Sequence, residues 1–427
     1  MDDAVSFTAL ERLPDAEACL RWERCRRLLD RWAPEASGLL VFSRVNIYYL
    51  TGTMGAGLFW LPREGRPVLL LRKGLRRAAL ESPVSELRPF RSYREVGGLL
   101  AGAGSPLGDV AAADMAGLPW SLSTMLCERL PHVRFVSGDA ILSRARAVKS
   151  PWELGRLSEA GERQRQGLRE LLPRLIRPGM TERDIAVLCV SAYLELGHGG
   201  LMRMNAPGEE VFFGHVAADD SGNYPHYYNG PMGFRGVHPA LPCLGSESTV
   251  WRPGRPLTVD MAFTFKGYTT DKTQTYWAGE PDTMPGHARR AYELCVDIQR
   301  RAAASLRPGA IPSQIWRETR ELVNDTPFAE GFMGLDDDQV PFLGHGIGLA
   351  IDEYPVIAKG FDEALEEGMV LALEPKIAIP GFGMVGIENS FVVEGGGARC
   401  LTGDETDLIF VPDTGGERPG RWTERRL

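Results

Sequence analysis

The chain has 427 residues, enough for two domains or three. With 44% hydrophobic and 24% charged residues and a net charge of −8, it reads as an ordinary globular protein, not a general nucleic-acid binder. Seven scattered cysteines without a CxxC pair fit reduced thiols in a cytoplasm. The acidic start MDDAVSF and the absence of any run of about 18 apolar residues predict neither a signal peptide nor a membrane span.

In chain order, residues 14–33 carry Leu20, Trp22, Cys25, Leu28, Leu29 and Trp32 at largely helical spacing. SGLLVF follows as a buried strand. GLFWLP and PVLLLRK read as strands joined by the polar turn REGR. The alternation of helix and strand continues through a helix near 121–130 and VRFVSG, which predicts an α/β layer domain over 1–148. A second domain, 149–427, opens at AVKSPWEL. Ser150 and Pro151 start a helix running to about Leu175, and Thr181 with Asp184 caps the next. LTVDMAFTF and GYTTDKTQTYWAG read as a hairpin turning at Lys266-Gly267, followed by helices over 286–305 and 312–323. The irregular, aromatic segment NYPHYYNGPMGFRGVHP reads as a substrate-covering loop, and 413–427 as a frayed tail.

Five side chains on these elements can bind metal: Asp260, Asp271, His345 in GHGIGL, Glu374 in LALEPKI and Glu388 in GIENS. Charged groups in otherwise apolar strands need a cation or hydrogen bonds to offset burial. Four carboxylates and an imidazole suit a pair of hard or borderline divalent cations, namely Mn²⁺, Co²⁺, Fe²⁺ or Zn²⁺. Such a pair can activate water and polarise a carbonyl, so metal-assisted hydrolysis is the leading reaction class.

The order and local context of these five resemble the pita-bread metallopeptidases: Xaa-Pro aminopeptidases, Xaa-Pro dipeptidases (prolidases), methionine aminopeptidases and the related creatinases. NIYYLTG resembles the creatinase and prolidase N-terminal domain. The resemblance implies an α/β creatinase-like N-terminal domain, an α+β pita-bread catalytic domain, Xaa-Pro substrates and a homodimer. By its mechanism Glu374 takes the proton of the attacking water, while Asp271 and Glu388 bridge the two ions.

The outer shell departs from the family pattern. Asp352, in DEYP, stands where the peptidases carry a second histidine, seven residues after His345. A carboxylate there can act as a base or hold a cationic group, but once ionised it cannot donate a hydrogen bond. Seventeen residues before Asp260, where the family has a substrate-facing histidine, stands Cys243; His226 and His238 are the nearby candidates to replace it. Gly386 and Gln274 stand where arginines are usual. The leading reading is therefore a dinuclear hydrolase of small peptides. A metal-dependent lyase of the dimethylsulfoniopropionate type, with Asp352 as base, and a non-catalytic binding protein are the alternatives.

Overall fold

The computed structural model describes residues 7–116, 118–205 and 213–413. The chain divides into two compact units, Met1–Arg146 and Ala147–Leu427.

The first unit is built on a six-stranded mixed sheet. Its strands are β1 (Gly38–Val41), β2 (Ala56–Pro62), β3 (Val68–Lys73), β4 (Glu86–Pro89), β5 (Val110–Ala113) and β6 (Arg134–Ser137), in the order β4-β3-β2-β1-β5-β6. The runs GLFWLP and PVLLLRK pair antiparallel as β2 and β3, as the turn between them predicts. Helix Asp15–Trp32 forms where the spacing places it, but with a different buried face. Leu20 and Trp32 are exposed, and Arg21 is buried instead. Its guanidinium bonds Glu17 at 2.7 Å and the Tyr49 carbonyl at 2.6 Å. An arginine held by an ion pair and a backbone carbonyl can pack inside, which apolar spacing does not reveal.

The second unit carries β7 (Gly214–Ala218), β8 (Pro256–Met261), β9 (Phe263–Phe265), β10 (Tyr268–Thr270), β11 (Thr273–Ala278), β12 (Phe342–Gly346), β13 (Glu353–Ala358), β14 (Val370–Leu373), β15 (Lys376–Ile379), β16 (Gly383–Gly386), β17 (Asn389–Glu394), β18 (Gly397–Cys400) and β19 (Ile409–Val411). They form a four-stranded sheet β19-β11-β8-β7, a five-stranded sheet β13-β12-β14-β17-β18 and the pairs β9-β10 and β15-β16. Helices Gly286–Ser305 and Pro312–Asn324 share a core with the five-stranded sheet. Helices Pro151–Arg165 and Glu182–Glu195 share one with the four-stranded sheet. Both of the latter begin with a full capping box, Ser150 with Glu153 and Thr181 with Asp184. The first helix passes through a π-turn at Gln166–Leu171 before ending at Leu175.

The hairpin predicted around Lys266-Gly267 is present, with both turn residues at positive φ. It is interrupted on each side. β9 and β10 form its tip, and β8 and β11 its base, with Asp260 opposite Thr273. From residue 414 onward, the tail read as frayed lies outside the described residues.

Candidate metal centre

The interruptions in the strands position the site. Asp271 falls between β10 and β11, Glu374 between β14 and β15, and Glu388 between β16 and β17. The sequence reading places both glutamates on strands; instead each occupies the gap where the chain leaves one sheet for another. There the backbone need not alternate faces, so side chains from several sheets can turn into one cleft. Asp260 comes from β8 and His345 from β12. Glycines flank His345 because a Cβ at Gly344 would meet the Ala372 carbonyl oxygen at 2.1 Å, and one at Gly346 the Tyr354 carbonyl oxygen at 2.4 Å.

All five side chains converge, in two overlapping triads. Asp271, His345 and Glu388 offer ligand atoms within 4.8 Å of one another, and so do Asp260, Glu374 and Glu388. His345 Nε2 lies 3.5 Å from Glu374 Oε1 and 3.9 Å from Glu388 Oε1. Its Nδ1 is 3.1 Å from the Gly346 carbonyl oxygen. With the proton on Nδ1, that bond leaves the Nε2 lone pair facing the carboxylates.

A sixth residue, which sequence reasoning missed, stands among them. Lys376, fully buried at the start of β15, places Nζ 2.8 Å from Glu374 Oε2, 2.9 Å from Glu388 Oε2 and 3.2 Å from Asp260 Oδ2. Burial works against its charge, but Asp260, Glu374 and Glu388 outweigh it and hold the ammonium well above the usual lysine range. The available signal was a lysine two residues after a candidate ligand, in a strand otherwise made of Ile377, Ala378 and Ile379.

The glutamates thus divide their oxygens. Each Oε2 faces Lys376 and each Oε1 faces His345. Glu388 Oε2 also accepts from Thr273 Oγ1 at 2.8 Å. Glu388 Oε1, by contrast, is buried and has no hydrogen-bond partner among the described residues. Burial and then the Asp260 charge push Asp271 up to about 7. Burial, with Asp271 next, holds Glu388 well above the carboxylate range. Asp260 lies below that range, since Lys376 and His215 overcome its burial. Negative charge is therefore unbalanced on the His345 side, where a divalent cation fits the oxygen and nitrogen donors.

These groups open into a cavity of about 230 Å³, the size of a small peptide. Met202, Met204, Phe342, Ile351 and Val356 supply apolar walls, while Tyr228, Asn229, Met232 and Phe234 of the irregular loop close one side. Asp352 lines the cavity and accepts from the Asn205 amide at 2.6 Å; burial raises its pKa. His226, His238 and Cys243 are not among the lining residues. His238 is exposed, tied into a local turn by the Ala240 amide at 3.1 Å. His226 sits behind the wall, its ring 5.7 Å from that of Phe234.

The histidine that does line the cavity is His215. It lies on β7 opposite Asp260 and stacks on Phe234 with centroids 3.7 Å apart. Burial lowers it to about 4, so it is a neutral imidazole at pH 7. Its separation of 45 residues from Asp260 hid it; only the β7–β8 pairing brings the two together.

Residues 155–395 match the family model of metallopeptidase family M24, and residues 21–148 that of the creatinase/prolidase N-terminal domain. The chain belongs to metallopeptidase family M24, with an α/β creatinase-like N-terminal domain and an α+β pita-bread catalytic domain. The probable dipeptidase PepE of Mycobacterium tuberculosis is 28% identical over 391 residues, covering 88% of this chain and 92% of that protein. A Xaa-Pro dipeptidase of Pyrococcus furiosus is 25% identical over 373 residues, covering 86% and 93%. Among solved structures, dipeptidase PepE from Mycobacterium ulcerans matches with a TM-score of 0.76 at 25% identity, over 94% of this chain and 100% of that one. The prolidase from Pyrococcus horikoshii shares the fold, with a TM-score of 0.73 at 21% identity over 91% and 99%.

Proposed function

We propose that this metallopeptidase hydrolyses short peptides of the Xaa-Pro type. The observation that carries the proposal is the meeting of Asp271, His345 and Glu388 around the unpartnered Glu388 Oε1, at the floor of a peptide-sized cavity. The names of the related dipeptidases support the substrate class. A divalent ion held by that triad would activate water and polarise the scissile carbonyl; Mn²⁺, Co²⁺, Fe²⁺ and Zn²⁺ all suit the donors. The second ion expected from the sequence would have to share Asp260, Glu374 and Glu388 with Lys376.

The residues divide the remaining work. Glu374 is the base, because its Oε1 points into the His345 side of the cleft. Neutral His215 offers a hydrogen bond to a substrate carbonyl or carboxylate. Phe342, Ile351 and Val356 suit a proline ring. Asp352, engaged by the Asn205 amide, orders the rim. The lyase and binding-protein alternatives gain no observation of their own.

Release of the N-terminal residue from a Xaa-Pro dipeptide and a Xaa-Pro-Yaa tripeptide, after reconstitution with Mn²⁺ or Co²⁺, tests the reading. A sulfonium substrate assayed in parallel separates hydrolysis from elimination. No turnover of any peptide by metal-loaded protein would refute it. Among the described residues no helix is long and apolar enough to cross a membrane. Seven cysteines, none of them in a disulfide, support a reducing compartment such as the cytoplasm, and we extend the proposal to a homodimer, checked by light scattering.

A further inference from the structure

We propose that the Lys376 ammonium takes the place of a divalent ion at Asp260, Glu374 and Glu388, leaving one exchangeable ion position, at Asp271, His345 and Glu388. The inference rests on the metallopeptidase reading of the centre and deepens it.

Geometry makes the two occupants exclusive. A transition-metal ion sits about 2.0–2.2 Å from carboxylate oxygens. Lys376 Nζ already lies 2.8–3.2 Å from one oxygen of each of the three residues. An ion placed among the same oxygens would crowd a protonated nitrogen that has no lone pair to offer. An ammonium has three N–H donors, and here each has a carboxylate acceptor. None remains for substrate, and the side chain is fully buried. Lys376 is thus a positioning residue: it fixes the Oε2 atoms of both glutamates and so aims their Oε1 atoms at His345.

The cross-strand partner of Lys376 is Gly386, where a Cβ would fall 2.7 Å from both Lys376 Cγ and the Pro375 carbonyl oxygen, so this strand pair packs too closely for any side chain at 386. A fully buried ammonium held by three carboxylates is a built part of the centre.

The test is to count ions. Wild type and Lys376→Ala are saturated with Mn²⁺, passed through gel filtration and analysed for metal per chain. The variant is expected to hold one ion more than wild type, two against one. Equal counts would overturn the inference. Wild type with none and the variant with one would instead sink the metallopeptidase reading of the Asp271 triad while upholding the replacement. Should Lys376→Ala fail to fold by circular dichroism, electron paramagnetic resonance of Mn²⁺-loaded wild type decides. The spectrum of an isolated ion is expected, and that of an exchange-coupled pair overturns the proposal.

Discussion

His198 allows a quantitative test of how the site's supporting strand is held. The residue is 6% exposed, and its ring stacks on Phe213 at 4.3 Å, immediately before β7, which carries His215. Its Nδ1 accepts the Gly200 amide at 2.9 Å, so the folded state requires that nitrogen unprotonated. Burial lowers its pKa from 6.5 to about 4. Above pH 6.5 the ring is neutral whether the chain is folded or not, and its contribution to stability is fully present. Between 6.5 and 4 only the unfolded chain takes up the proton, so stability falls as pH falls, by about 1.4 kcal/mol per pH unit. The whole window is worth about 3 kcal/mol, and the part from 6.5 to 5.0 about 2 kcal/mol. His198→Gln removes this titration. Urea unfolding followed by circular dichroism at pH 7.5 and 5.0, in chelator so that ion binding does not enter, measures it. Wild type should lose about 2 kcal/mol more than the variant between the two pH values. His215 titrates in both proteins and cancels in the comparison. Equal losses would refute the assignment of a buried, neutral His198.

Three further outcomes bear on the site. Glu374→Gln should lower peptide hydrolysis by about 10²-fold or more, because an amide cannot take the water's proton; unchanged turnover in a proline-release assay would remove Glu374 from the reaction. Asp352→Asn keeps an acceptor for the Asn205 amide and should stay within about tenfold of wild type, whereas a fall of about 10²-fold would make Asp352 the base and favour elimination. His215→Phe keeps the ring stack but loses both nitrogens; kcat/KM for Xaa-Pro peptides should fall by about tenfold, the scale of one lost hydrogen bond, and equal values would exclude substrate contact.

What was legible in the sequence follows the range of the forces involved. The helix start at Ser150-Pro151, the Thr181–Asp184 cap, the Lys266-Gly267 turn and the two helices after 285 depend on neighbours within a few residues, and these were readable. Asp260, Glu374 and Glu388 stood out as charge in apolar contexts, His345 by its flanking glycines and Asp271 by its spacing to Asp260, and the structure gathers all five into one cluster. Lys376 escaped notice because its role depends on Asp260, far along the chain in β8, and His215 because only the pairing of β7 with β8 brings it to Asp260. His226 and His238 attracted attention through nearness to Asp260 along the chain, but neither lines the cavity, where His215 stands instead. The buried Arg21 was hidden for a similar reason: its acceptor at Tyr49 lies in another helix.

Glu388 belongs to both triads, and this has a thermodynamic consequence. One oxygen answers to Lys376 and Thr273, the other to the side of His345. Electron density drawn toward one oxygen is withdrawn from the other, so occupancy on the two sides is linked. By reciprocity, whatever factor the occupant beside Asp260 imposes on ion affinity beside Asp271, an ion beside Asp271 imposes in return. An immobile ammonium in the first position makes that factor a constant of the protein, set by the chain and independent of metal supply. Affinity at the second position would then follow a single hyperbola in ion concentration, where two exchangeable ions would each tune the other's hold.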